Sequence, residues 1–512
     1  MHLLVDVLGI ESGGKPIVFL NNSDAGEIGV TASGRVSLRA KKEITAIVNI
    51  STRTVKKGHI GISEEVRQLL GRTPQKIDVE ISAFPKSLQF IRNKLEGRKL
   101  LKDEVFEIVK GVVDGTLNES EIASFVTALH IRGLDLDEAT SLSQSMVETG
   151  NQLNLQNKVI VDKHSIGGVP GDKTTLLVVP IVAAAGLVIP KTSSRAITSA
   201  AGTADRAESL MPVTLSAAEM KKTIKKTNGC IVWGGALDLA PADDIFVKTE
   251  YSLYIDPLLL PSIMSKKKAV GATHVVLDIP TGRGAKVKTI NEADHLAKDL
   301  IELGRRLKMH THCVLSYGEQ PVGHSIGPAL EAKEALEVIM NEINVPDLVD
   351  KACKISGAIF EITGHKNGYA MAQEILRSGR AEKKLRQIIA AQGGNPMVRP
   401  RDIPIGSETI RLKAKNDGKL LWINNSSIVE IARMAGAPKD RGAGIVFNKK
   451  IGDNISKDDV IFTVYAEKSR KLSRTEDLIE QLNPVGIGKR TDMIIHMVTE
   501  IPEIKRSFVL ER

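Results

Sequence analysis

The residues best equipped for chemistry are concentrated between positions 163 and 208, where two loops rich in glycine, hydroxyl groups and cations flank an apolar stretch about one helix long. The first loop, KHSIGGVPGDKTT, covers 163–175, and the second, TSSRAITSAAGT, covers 192–203. Small residues let backbone N–H groups approach an anion, while Ser or Thr hydroxyls and a Lys or Arg bond its oxygens. Either loop alone is equally consistent with a strand-to-helix turn, and Ser193-Ser194-Arg195 with a helix cap over a solvated Arg. Two such loops separated by a helix-length spacer point instead to one anion held from two sides. His164, between Lys163 and Ser165, is open to two roles, acid or orienting donor.

Elements must place these loops. Strand-like Val159-Ile160-Val161 delivers the first, and further strands are expected at 229–232, 274–279 and 312–315 with helices at 293–307 and 329–339. This alternation predicts an α/β unit over 163–400 with a mostly parallel or mixed sheet and ligand loops at its carboxyl edge. Before it, a helical unit over 88–162 is expected, to which later helices return. Asn118-Glu119-Ser120-Glu121 reads as a capping box there, with Ile122, Phe125, Val126 and Leu129 on one face, and Asp137 caps the next helix. Residues 1–84 alternate as half-buried strands in 35–39 and 44–50, with a short helix over 63–70 and a linker at Phe84-Pro85. The tail, 410–512, returns to strands in an α+β pattern. The fold class is thus α/β with α+β parts: a helical unit and an α/β mixed-sheet unit, with small β-rich units at both ends.

At 512 residues, the chain is long enough for two to four domains, and its 42% hydrophobic and 26% charged residues are ordinary for a globular protein. Three scattered cysteines give neither a disulfide framework nor zinc spacing, so a reducing cytoplasm is expected. The start, MHLLVDVLGI, lacks a basic leader, and the apolar run 176–189, broken by Pro180 and Gly186, reads as a buried helix and not a membrane span. A net charge of +9 suits an anionic ligand. The lysines are dispersed with few aromatics between them, which favours solvated faces over a nucleic-acid site. His310, His312 and Cys313 lack a fourth ligand for a metal.

The joint pattern KHSxGGV…GD, SxR and AGTxDxxES closely resembles the thymidine and pyrimidine-nucleoside phosphorylase family, from about residue 88 to the end. The resemblance implies helical and α/β domains flanking a cleft, a C-terminal β-hairpin of 449–455 with 460–464, and cleavage of an N-glycosidic bond by inorganic phosphate, with phosphate as co-substrate and no cofactor or metal. It implicates Lys163, Ser165, Thr175, Ser193 and Thr203 in phosphate binding. The segment 237–271 resembles the family's base-binding segment: Ser262 and Lys266 match its Ser and Lys, Asp256 is the candidate base-protonating acid, and Thr249 stands where that family has an Arg. Pro170 is an insertion in the first loop. The extra N-terminal unit, the wording of both loops and DIPTGRGAK at 278–286 resemble the archaeal AMP phosphorylase branch. That branch implies a nucleoside 5′-monophosphate substrate, AMP with CMP and UMP, and ribose 1,5-bisphosphate as product. Gly168, Ser194, Arg195, Ala196, Ile197, Thr198, Ser199, Thr203, Ser262 and Lys286 are its nucleotide contacts. It also implies a homo-oligomer built from dimers, without nucleic-acid or membrane partners.

Three rivals stay open on the sequence: a nucleoside phosphorylase indifferent to the 5′-phosphate, a Mg²⁺-dependent phosphoribosyltransferase, and a nucleotide- or RNA-binding regulatory protein.

Overall fold

The computed structural model describes residues 1–40, 43–197 and 199–489. Thr198 and the end of the C-terminal unit, 490–512, lie outside the described residues.

Alternation in the first segment closes on itself. Strands β1 (His2–Val7), β2 (Ile17–Asn21), β3 (Arg35–Arg39), β4 (Glu43–Ser51), β5 (His59–Ile62) and β6 (Lys76–Ile81) form a barrel in the order β1-β5-β2-β4-β3-β6, closed by β1 against β6. Every second residue, such as Val18 and Leu20, Val36 and Leu38, or Ala46 and Val48, points into its core. Two short helices, α1 (Asn22–Ile28) and α2 (Glu64–Leu70), join the strands, and Ser63 caps α2. Arg35 fastens the barrel to the next unit by donating to the Thr116 carbonyl at 2.7 Å and pairing with Glu121.

Helices α3 (Lys86–Leu95), α4 (Lys102–Val113), α5 (Glu119–Arg132) and α6 (Leu136–Glu148) follow. Their apolar faces meet α10 (Pro241–Leu253), returned from later in the chain, so that Ile108, Phe125, Leu142, Phe246 and Leu258 share one core. The capping box at Asn118 forms as read from the sequence. The cap of α6 is Asp135, not Asp137: the Asp135 carboxylate accepts from the Asp137 and Glu138 N–H groups. Asp137, one residue inside the helix, turns outward to Lys99 and Arg306 instead.

The central sheet runs β11 (His310–Tyr317), β10 (His274–Thr281), β7 (Val161–Ser165), and continues through an Ile160–Val188 bridge into β8 (Ile189–Ser193) and β9 (Gly229–Trp233). All these pairings are parallel. Such a sheet needs cover on both faces. Helix α11 (Leu259–Ala269) and α12 (Ile290–Arg306) contribute to one core, and α7 (Thr174–Ala184), α13 (Pro328–Ile339), α14 (Pro346–Ile362), α15 (Gly368–Arg377) and α16 (Arg380–Ala391) to the other. Helix α7 is the apolar spacer. Its residues 174–183 are all buried despite Pro180 and several β-branched residues, because burial at about 1.5–3 kcal/mol per large apolar side chain outweighs weak helix propensity. Short α8 (Thr203–Glu208) and α9 (Ala217–Thr227) lie between β8 and β9.

The C-terminal unit holds a sheet in the order β12 (Ser325–Ile326), β15 (Gly444–Phe447), β17 (Val460–Ala466), β13 (Glu408–Lys413). A second has β16 (Asn454–Ile455), β14 (Gly418–Ile423) and β18 (Val485–Gly488), with helices α17 (Asn425–Ala435) and α18 (Ser469–Leu482). The expected hairpin of 449–455 with 460–464 does not form. Both edges of β17 are taken by β13 and β15, so β16 pairs with β14 in the other sheet. Among the described residues no helix is long and apolar enough to cross a membrane.

Candidate functional site

Side chains alternate along β7, so its two faces do different work. Lys163 points toward α7, where its ammonium donates to the Thr174 hydroxyl at 3.1 Å. Thr174 in turn donates to Asp172 at 2.6 Å. Asp172 also faces Lys351 of α14, at 3.3 Å, and Lys351 pairs with Asp278 of β10 at 2.8 Å. Ser165, in register with Asp278, carries a buried hydroxyl with no partner among the described residues. Burial lowers Lys163 from the ordinary lysine value, with Asp172 and Asp278 pulling the other way. Although burial opposes it, Asp172 and Asp278 hold Lys351 above its ordinary value. A desolvated ammonium beside an unpartnered hydroxyl at a strand's carboxyl end is the setting in which an anion supplies what is missing. Thr175 is buried in the first turn of α7.

On the opposite face Asp162 pairs with Lys267 of α11 at 2.7 Å. His164 shares this side. Burial, and then Lys267, Lys191 and Lys163, push its imidazole well below the ordinary histidine value. Burial and the cations around His164 therefore disfavour its charged form.

The second loop is stitched by a residue the sequence did not single out. Asp205, in α8, accepts from the Ala196 N–H at 2.7 Å and the Gly202 N–H at 2.8 Å. Gly202 is required there, since a Cβ would lie 2.5 Å from the Ala196 nitrogen. Ser193 ends β8, its hydroxyl donating to the Val232 carbonyl at 3.0 Å. Ser194 is exposed, Ser199 donates to the Ala201 carbonyl at 3.3 Å, and Thr203 opens α8. Arg195, expected to face the nucleotide, has its guanidinium on Glu208 at 2.7 and 2.9 Å and over the Trp233 ring. It braces the loop in this conformation. The Ile197 carbonyl accepts from Arg433 of α17 at 3.0 Å, so the C-terminal unit also holds this loop.

The two loops converge on a third. Gly168, at φ +89°, packs so tightly on the turn ending at Lys286 that a Cβ would sit 2.5 Å from the Lys286 nitrogen. The Lys286 ammonium pairs with Asp256 at 3.0 Å, both about half exposed. Gly168, Ser199 and Lys286 line one cavity of about 850 Å³ together with Asn425 and Arg474 of the C-terminal unit. Four sequence-predicted residues are thereby brought together. Ser262 lies in the first turns of α11, and Lys266 is held by Asp243 at 2.7 Å. Asp172, Asp205 and Lys351 were missed; the first two sit inside the motif, but Lys351 lies 179 positions from its partner Asp172.

Comparison with known proteins agrees with this layout. Residues 157–382 match the glycosyl transferase family α/β domain, 88–150 its helical bundle domain, and 421–485 the pyrimidine nucleoside phosphorylase C-terminal domain. The AMP phosphorylase of Thermofilum pendens is 48% identical over 100% of both chains. The chain belongs to the AMP phosphorylase family. Other AMP phosphorylases behave alike: that of Thermococcus kodakarensis is 47% identical, covering 95% of this chain and 98% of its own. AMP phosphorylase 1 of Archaeoglobus fulgidus is 46% identical, with 93% and 95% covered. Among solved structures, anthranilate phosphoribosyltransferase from Thermus thermophilus aligns with a TM-score of 0.52 at 19% identity, over 59% of this chain and 99% of that one. At that identity the likeness speaks for the shared fold of the AMP phosphorylase core alone.

Proposed function

We propose that this chain phosphorolyses nucleoside 5′-monophosphates, AMP foremost and CMP and UMP with it, to free base and ribose 1,5-bisphosphate, with inorganic phosphate as co-substrate and no cofactor. The observation that carries the reading is the Lys286–Asp256 pair on the turn against which Gly168 is packed. It sets a cation for a 5′-phosphate beside an acid for the base. Inorganic phosphate, held by Lys163, Ser165 and Ser193, attacks C1′ through one oxygen. The C1′–N bond breaks, its electron pair leaves with the base, and Asp256 delivers the proton the base takes up.

An exposed ion pair contributes only about 0–1 kcal/mol, so it exchanges readily. A 5′-phosphate therefore competes with Asp256 for Lys286 and, on binding, removes the cation from beside the carboxyl that must carry a proton. A nucleoside without that phosphate leaves the pair closed. The test is a product assay with phosphate on AMP, CMP, UMP and adenosine. Adenine and ribose 1,5-bisphosphate from AMP, with adenosine at least tenfold slower, support the reading. Equal turnover of adenosine to ribose 1-phosphate overturns it in favour of a nucleoside phosphorylase. Assembly as dimers within a larger oligomer is proposed as well, and light scattering on the chain with and without residues 1–84 measures it.

A further inference from the structure

Glu250 stands out among carboxylates that the proposed chemistry does not use. It lies near the end of α10, only 5% exposed, and no cation pairs with it among the described residues. Its carboxyl accepts the Leu258 N–H at 2.8 Å, reaching across eight positions, while its own carbonyl accepts the Ile255 N–H at 3.2 Å. Those two bonds bracket Asp256. The chain between them starts at Tyr254, in the left-handed region at φ 55°, where a non-glycine residue sits only when its surroundings hold it.

We propose that Glu250 is the positioning residue for Asp256: its side chain, locked beneath the 254–258 loop by the Leu258 N–H, fixes the acid at the base end of the site. The inference rests on the phosphorolysis reading and deepens it. The surroundings define the form in which Glu250 works. Helices α4, α5 and α6 pack on α10 through the apolar cluster of Phe125, Leu129, Phe246 and Leu258. The charged groups that act on Glu250 are Asp256 and Asp243, which repel its anion, and the more weakly felt Lys286. Asp243 itself is engaged with Lys266. Burial raises Glu250 to about 8 against the Leu258 N–H bond, which favours the anion; Asp256 and Asp243 add to the rise and Lys286 opposes it, so that Glu250 carries its proton at pH 7. Loss of its proton places a second negative charge near Asp256 and repels the Asp256 carboxylate.

Glu250→Gln tests this directly, because the amide oxygen keeps the acceptor for Leu258 while the amide group imitates the protonated acid at every pH. Between pH 6 and 7 the variant is expected to hold kcat with AMP within about threefold of wild type, and above pH 8 to keep rate that wild type loses. Glu250→Ala, which removes the anchor, is expected to lower kcat at least tenfold while KM for inorganic phosphate stays within threefold, in protein whose melting curve shows it folded. An unaltered alkaline limb in Glu250→Gln overturns the proposal, as does full activity of folded Glu250→Ala. Asp256→Asn separates this failure from failure of the parent reading: if it retains turnover, the acid is elsewhere and both fall; if it loses turnover while both Glu250 variants behave as wild type, only the positioning role falls.

Discussion

The two ends of the proposed site are built differently. At the attacking-anion end, Lys163, Asp172, Lys351 and Asp278 are almost wholly buried and come from β7, the loop after it, α14 and β10, each held by the others. At the base end, Asp256 and Lys286 are half exposed, meet in one ion pair, and rest on a loop tied down by Glu250. Buried charge is stiff because removing one partner strands the other. Exposed charge is adjustable because water replaces either partner at little cost. The contrast suits what each end must hold, since inorganic phosphate is one invariant shape, whereas the base end must admit a nucleotide and release its base.

The sharpest way to break the comparison is at Lys163. Lys163→Ala is expected to lower kcat/KM for phosphate by about 10²–10³-fold, the scale of losing one preorganised charged donor. If turnover stays within a few fold, the anion end has been misplaced. The next effect is on stability. Lys173, fully buried, pairs with Glu334 and donates to the Val322 and Ser325 carbonyls at 3.0 Å each, clamping the 319–326 loop to the start of α7. Lys173→Met leaves Glu334 buried without its cation and is expected to cost about 3–5 kcal/mol in denaturant titration. Lys286→Ala, on the exposed end, is expected to shift stability by less than about 0.5 kcal/mol. It should erase the preference for AMP over adenosine; comparable stability losses in the two variants would remove the distinction between the ends.

What the sequence made legible divides along the same line. The anion end is local: Lys163, Ser165, Gly168 and the Ser193–Ser199 stretch lie in two short loops whose composition announces an anion, and the strands behind them show as apolar runs. The contacts that make it stiff are not local. Lys351 meets Asp172 and Asp278 only once α14 lies across the sheet, and a lysine in an amphipathic helix looks like any solvated lysine beforehand. The setting of His164 was hidden for a similar reason, since Lys267 and Lys191 reach it from α11 and β8. The hairpin that the resemblance implied at 449–464 did not form, because likeness of the local stretch said nothing of the two strands already flanking β17. Glu250 was invisible because one Glu in an amphipathic helix shows no sign of which turn it will be buried against.

That last residue gives the smallest effect and the one most specific in sign. In the unfolded chain Glu250 loses its proton near 4.5, and in the folded protein near 8. Between those values the folded state holds a proton that the unfolded state has shed, so stability falls as pH rises through the window and is level above it. Glu250→Gln has no proton to lose there. Its melting temperature should match wild type near pH 4.5, rise relative to it through pH 8, and sit above it at pH 9 by about 1 °C for each ~1 kcal/mol, the scale for a chain of this size. The gap must widen from about pH 4.5 to 8 and stop widening where wild-type turnover begins to decline, since the folded-state proton sets both points; a constant gap from pH 5 to 9 would mean that the carboxyl is already ionised under the Asp256 loop and that the base end is held by packing alone.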